Sequence, residues 1–322
     1  SHFVLFVTFC RFHLRSGEIF RSTQTAGGIM PAAMLPKTLR PLLLLLGCAT
    51  SALGAAPAYP PFTLPHTEVR DLPFKAPGRQ YQIQVGLPAS YASKPQQHYP
   101  VIFVTDGYWD FPLLCSTLGN FVYDKVAPEC IVVGLGYAGE NPNYGQLRTW
   151  DLTPAPIERD LDNSGHAAEF LALLEKEIIP LVERDYRVDP RHRILAGSSN
   201  GGLFTLYTML TKSELFGGYI AVSPAAGSAG GWLFDYEKRF AKTGRPIKAR
   251  LYMSGAEYEW PLFVDAIKRF ALRLDGRKYQ GLRCSFDLIN GERHAGTKAE
   301  GYARGLHHVL APLAPESGVM GN

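Results

Sequence analysis

From Tyr81 onward, short apolar runs alternate with longer amphipathic stretches. Tyr81-Gln-Ile-Gln-Val85 alternates apolar and polar positions, the period of a half-buried strand. Val101-Ile-Phe-Val-Thr105, Cys130-Ile-Val-Val-Gly-Leu-Gly136, Ile194-Leu-Ala196 and Tyr219-Ile-Ala-Val-Ser223 are apolar throughout and predict buried strands. Ala249–Ser254 and Leu282–Ile289 add two more. Helical spacing predicts helices over 112–122, 167–182, 202–210, 262–274 and 300–310. The Gly-, Pro- and Asn-rich stretch 139–156 reads as a long loop, and long loops are often functional. Strands alternating with helices predict an α/β domain with a mostly parallel sheet and helices on both faces. Neither an internal repeat nor a second domain is visible.

The first 56 residues follow a different pattern. Residues 1–29 mix Phe, Arg and Ser without period and read as sequence upstream of a natural start at Met30 or Met34. Lys37 and Arg40 then precede an uncharged apolar run, 41–49, and small residues through Ala56. That is the pattern of a secretory signal, too short for a membrane span. Cleavage is expected near 54–56, giving a secreted or periplasmic chain. The alternative is Leu45-Leu-Gly-Cys48 as a lipoprotein site with Cys48 lipidated. A single domain of residues 57–322 is left, long enough for a full core.

This division changes the charge reading. The chain holds 33 basic and 29 acidic residues, of which residues 1–56 hold five (Arg11, Arg15, Arg21, Lys37, Arg40) and one (Glu18). The remainder has 33 − 5 = 28 basic and 29 − 1 = 28 acidic residues. Such a balance offers no electrostatic attraction to nucleic acid or an anionic membrane. Cys115, Cys130 and Cys284 remain, allowing one disulfide, Cys115–Cys130, or three buried free thiols. No His or Cys spacing suits a metal, and neither metal nor cofactor is expected.

Chemistry enters at Gly197-Ser-Ser-Asn-Gly201, which fits G-x-S-x-G between a predicted strand and a predicted helix. In that setting Ser199 sits on a sharp strand-to-helix turn, its hydroxyl exposed at a helix N-terminus where developing negative charge is favoured. A serine hydroxyl needs a histidine to take its proton and a carboxylate to orient the histidine, in the chain order Ser, acid, His. Of nine histidines, His294 alone lies among small residues just past a predicted strand after Ser199. Glu257 and Glu259 follow the strand that closes at Gly255.

Residues 74–313 resemble the esterase family of α/β-hydrolases that includes siderophore (enterobactin-type) esterases, feruloyl esterases, S-formylglutathione hydrolases and mycolyltransferases. The resemblance is carried by Val104-Thr-Asp-Gly107, Arg148-Thr-Trp-Asp-Leu-Thr-Pro154, Gly197–Gly202, Ser223-Pro224, Glu259-Trp260 and Gly291-Glu-Arg-His-Ala-Gly296. The Arg-x-x-Asp-x-x-Pro segment looks most like the siderophore-esterase branch. Two positions depart from it: Ser198 stands where those members usually carry His, and Asn200 where they carry an apolar residue or Gln. The resemblance implies an α/β-hydrolase fold, a triad acid about three residues past Gly255, and two backbone oxyanion donors. One inserted residue makes Glu259 the acid, with Glu257 as the alternative. The donors are the N–H of Asn200 and that of Gly107 or Tyr108.

Trp109, Trp150, Trp232 and Trp260 all lie just beyond predicted strands or in the loops that follow them, where ligands of open α/β sheets bind. Two readings stand: an aromatic rim for a bulky acyl or alcohol group, or rings filling space beneath long loops. Arg148 either holds an anionic substrate oxygen or pairs with Asp151. The function expected is a serine esterase working through an acyl-enzyme on a small-molecule ester, of siderophore-like or bulky aromatic type. An acyltransferase would use the same residues. A non-catalytic module on this fold usually lacks the Ser or the His, and both are present.

Overall fold

The computed structural model describes residues 62–314, apart from residues 77 and 159 and the side chains of 74–76. The expected leader and Cys48 lie outside these residues. Eight strands form one sheet: β1 (Thr67–Ala76), β2 (Arg79–Gly86), β3 (Tyr99–Val104), β4 (Ile131–Tyr137), β5 (Val188–Ser198), β6 (Gly218–Val222), β7 (Arg250–Ala256) and β8 (Arg283–Ile289). Their order is β1-β2-β4-β3-β5-β6-β7-β8; β1, β2 and β4 pair antiparallel, and the remaining pairs are parallel. This is the α/β-hydrolase fold.

Alternation along the central strands sends side chains to two cores. Phe103, Leu195 and Met253 point to one face, covered by α3 (Ala167–Leu173), α4 (Ile179–Asp185), α5 (Asn200–Thr211), α6 (Ser228–Ala241) and α7 (Pro261–Arg277). Ile102, Ile194 and Tyr252 point to the other, covered by α1 (Gly107–Tyr123) and α8 (Thr297–Leu310). Buried on both sides, these strands are apolar at nearly every position.

Two local expectations change, and two elements appear that the pattern did not predict. α1 is separated from β3 by two residues, begins five residues earlier than predicted, and carries Pro112 inside its second turn. The predicted loop 139–156 contains α2 (Tyr144–Leu152), whose N-cap Asn143 accepts from the Gln146 N–H at 3.2 Å. Residues 228–241 form α6, with left-handed Ala229, Gly230 and Gly231 kinking its start. Finally, β1 lies at the sheet edge with a register shift between Asp71 and Lys75, around Pro73. Proline is tolerated in a strand only at such edges and bulges, and it hid this one. Cys115, Cys130 and Cys284 are free rather than paired, but of the three thiols expected to be buried only Cys130 is; Cys115 is half-buried and Cys284 exposed, and burial pushes the Cys115 thiol up to about 12.

Asp151, at the end of α2, is fully buried and accepts from the Tyr81 hydroxyl at 3.2 Å. Burial pushes its carboxyl up to about 6, more than the Arg79 guanidinium at 3.6 Å draws it down. The folded chain therefore holds a proton here that the unfolded chain, titrating near 3.8, has released. This contribution to stability is lost as pH rises from about 4 to about 6. Asp151→Asn removes that slope. Relative to wild type, the variant gains on the order of 2–3 kcal/mol between pH 4 and pH 7 in denaturant melts.

Candidate active site

The predicted nucleophile sits at a strained elbow. Ser199 has φ 57° and ψ −118° between β5 and α5, a conformation that costs energy for any residue with a side chain. Its N–H donates to Val222 O at 3.0 Å and its carbonyl accepts from Ala225 N–H at 2.9 Å, so β6 and the turn after it hold the bend. A Cβ at Gly197 would come within 2.5 Å of the Gly201 carbonyl carbon, which is why this tight return needs glycine. The strain aims the Ser199 side chain into solvent-accessible space.

Two cavities meet at Ser199 and His294, both of which line each one. The larger, about 840 Å³, is also lined by Asn200, Trp260, Phe263 and Arg293. The smaller, about 500 Å³, is lined by Trp109, Leu113, Arg148 and Lys298. His294 packs edge-on against the Phe263 ring at 5.2 Å between centroids. Its Nδ1 lies 2.5 Å from Glu259 Oε1, leaving Nε2 as the ring nitrogen available to the cavity. Among the described residues the Ser199 hydroxyl makes no hydrogen bond. Catalytic hydrogen bonds in unliganded enzymes are commonly loose until substrate arrives.

The two acid candidates separate cleanly in space. The Glu259 side chain is 2 % exposed. Besides His294 it accepts from the Ser223 hydroxyl at 2.5 Å and from the Ala256 N–H at 2.9 Å. Burial alone would raise its carboxyl, but these donors outweigh burial and hold it below the ordinary value. Glu257 is exposed and accepts from the Gly291 N–H at 2.8 Å, bracing the loop rather than the imidazole. Ser223 belongs to the Ser-Pro pair noted in the sequence, but its hold on the carboxylate had no sequence signal. It has φ 44°, a second non-glycine residue in the left-handed region beside the elbow.

The candidate backbone donors lie at two helix N-termini. Asn200 is the first residue of α5, and Gly107 and Tyr108 are the first two of α1. Their N–H groups have no acceptor within the helix. The approach of α1 to the elbow is tight: a Cβ at Gly201 would lie 3.2 Å from an Asp106 carboxylate oxygen, and one at Gly107 would lie 2.8 Å from Gly134 backbone. Asp106, left-handed at φ 55°, caps this junction and is gripped by Arg148 through two bonds of 2.6 and 2.8 Å. The partner of Arg148 is thus Asp106, not Asp151, because α2 turns this side chain toward β3 while Asp151 faces Tyr81 and Arg79.

The four tryptophans divide. Trp109 and Trp260, 48 % and 82 % exposed, line the two cavities. Trp150 lines neither; it stacks on His166 at 3.7 Å with the Arg79 guanidinium on its ring. Trp232 lines neither either, because α6 turns it onto Tyr236 and Tyr207. Ala225, Ser228, Ala229 and Gly230, between β6 and the kinked start of α6, border the larger cavity. Lys298 and Asp110, absent from the sequence-based candidates, stand at the floor of the smaller one.

Comparison with known proteins agrees with this architecture. The family profile described as "Putative esterase" matches residues 75–251. The ferri-bacillibactin esterase of Bacillus subtilis is 28% identical over 271 residues, covering 79% of this chain and 93% of that protein. The apo-salmochelin esterase of Escherichia coli is 32% identical over 157 residues, 46% of this chain and 48% of its own length. Among solved structures, siderophore hydrolase EstB from Aspergillus nidulans superposes with TM-score 0.68 at 26% identity, covering 80% of this chain and 98% of its own.

Proposed function

The chain belongs to the esterase family and is a serine esterase; on that premise we propose that Ser199, His294 and Glu259 form its acyl-transfer triad. The observation that carries the reading is the 2.5 Å contact between His294 Nδ1 and the buried Glu259, with Ser199 on the same cavity walls. With Nδ1–H donated to Glu259, Nε2 presents its lone pair and takes the Ser199 proton as Oγ attacks the ester carbonyl. The carbonyl oxygen, now anionic, accepts from the N–H of Asn200 and from that of Gly107 or Tyr108. Collapse expels the alcohol, which receives the proton from Nε2. Water then repeats the sequence on the acyl-enzyme. The His294 side chain is 46 % exposed, so water reaches the acyl-enzyme directly; an acceptor alcohol would use the same opening, and product analysis with added alcohols separates hydrolysis from transfer.

The substrate proposed is a bulky ester with aromatic acyl groups, of the siderophore type. Trp260 in one cavity and Trp109 in the other offer exposed ring faces on either side of Ser199. The siderophore esterases and hydrolase named above point the same way. A fluorophosphonate labels the chain once, and peptide mapping finds the adduct on Ser199. In an ester panel, catecholate-bearing lactones exceed p-nitrophenyl acetate in kcat/KM by about 10-fold or more. Labelling elsewhere overturns the triad, and equal rates across the panel overturn the substrate class.

Export is part of the same proposal: the apolar run 41–49 serves as a signal removed near residue 56. N-terminal sequencing of the exported protein tests it, and lipid on Cys48 would replace it with anchoring.

A further inference from the structure

Asp110 lies in the first turn of α1 with no solvent exposure, one turn beyond the oxyanion donors Gly107 and Tyr108. One carboxylate oxygen accepts from Lys298 Nζ at 2.7 Å. The other accepts from the Tyr302 hydroxyl at 2.5 Å and the Ser198 hydroxyl at 3.2 Å. The partners come from two other parts of the site. Ser198 is the residue before the nucleophile, and Lys298 and Tyr302 are on α8, which the His294 loop feeds directly. One side chain thus ties together the oxyanion turn, the elbow and the histidine loop.

Stability alone is a weak reason for this arrangement: Asp110 is buried and Lys298 only partly so, and apolar side chains of similar volume often serve a core as well as a buried ion pair does. Burial pushes the Asp110 carboxyl up, and Lys298 and Tyr302 draw it back only in part. Lys298 lies in the first turn of α8, where the helix dipole disfavours a cation. Ser198 also stands where the siderophore-esterase branch usually carries His, so its hydroxyl bond to Asp110 belongs to this chain's own version of the elbow.

We propose that Asp110 is a positioning residue, which through Ser198, Lys298 and Tyr302 fixes the oxyanion donors of α1 relative to Ser199 and His294. This rests on the triad proposed above. The ground state needs no such accuracy. The transition state does, since a displacement of about 1 Å in a catalytic group costs about 100-fold in rate. Loss of the carboxylate therefore falls on kcat and leaves KM nearly unchanged.

The test compares Asp110→Asn, Tyr302→Phe and Ser199→Ala with wild type on one p-nitrophenyl ester, with thermal melts on each. Asp110→Asn lowers kcat about 10- to 100-fold with KM within about threefold, and slows fluorophosphonate labelling in parallel. Tyr302→Phe, which removes one bond and keeps the fold, lowers kcat by a smaller factor in the same direction. Should Asp110→Asn not fold, Tyr302→Phe carries the test by itself. A folded Asp110→Asn with kcat within twofold of wild type overturns the proposal, as does a loss confined to KM. Normal turnover by Ser199→Ala would instead sink the triad, whereas a dead Ser199→Ala beside a normal Asp110→Asn sinks only the positioning role.

Discussion

Ser199→Ala lowers kcat by about 10⁴- to 10⁶-fold and leaves KM within a few-fold of wild type. In the proposed mechanism the hydroxyl oxygen is the one atom of the protein that bonds to substrate, and the substitution leaves the cavities on either side of it untouched. Alanine deletes only Oγ. The strained φ of 57° remains, because the turn is held by the bonds to Val222 and Ala225 backbone. The variant should melt within a few degrees of wild type and should no longer label with fluorophosphonate. A residual rate persists, since the two helix N-termini still polarise a bound carbonyl toward attack by water. Turnover within tenfold of wild type would mean that another group attacks the ester.

Glu259→Gln produces the second large loss, about 10³- to 10⁴-fold in kcat. Glutamine keeps the volume and one acceptor oxygen but offers an NH₂ that can face the imidazole. Nδ1 then carries no proton, Nε2 does, and the ring cannot take one from Ser199. Two further donors, the Ser223 hydroxyl and the Ala256 N–H, converge on this carboxylate and lose their anionic acceptor together. Glu257→Gln, whose partner is the Gly291 N–H, stays within about threefold of wild type. Steady-state kinetics on the two variants side by side tests the assignment, and a larger loss at Glu257 would reverse it. Because its partners hold the Glu259 carboxyl below the ordinary range, it stays charged throughout mildly acidic pH. Activity lost on acidification from pH 7 to pH 5 therefore has another source, and Glu259→Gln should not abolish that limb.

Much of this site was legible before any coordinates because its parts are local. The elbow needs small residues at fixed offsets around one serine, and those offsets are visible at Gly197 and Gly201. The order serine, acid, histidine follows from which strands end where. Between Glu257 and Glu259 the chain was ambiguous, since both follow the same strand and differ by two positions. The turn from β7 into α7 sends Glu259 inward, beneath His294, and leaves Glu257 outside. The tryptophans show the same limit. Trp109 and Trp232 each sit beyond a strand, yet α1 presents one to the cavity and α6 turns the other onto tyrosines.

Strand runs, helix spacing and the glycine-flanked serine determined the fold class and singled out the candidate nucleophile and histidine, because each depends on residues adjacent along the chain or one turn apart. Tertiary structure alone decided the rest: the seat of Glu259, the grip of Arg148 on Asp106 rather than Asp151, and the meeting of Asp110 with Ser198, Lys298 and Tyr302. Asp110 and Tyr302 are separated by 192 positions. Contacts between side chains so far apart depend on how helices lie across a finished sheet, and no periodicity encodes that.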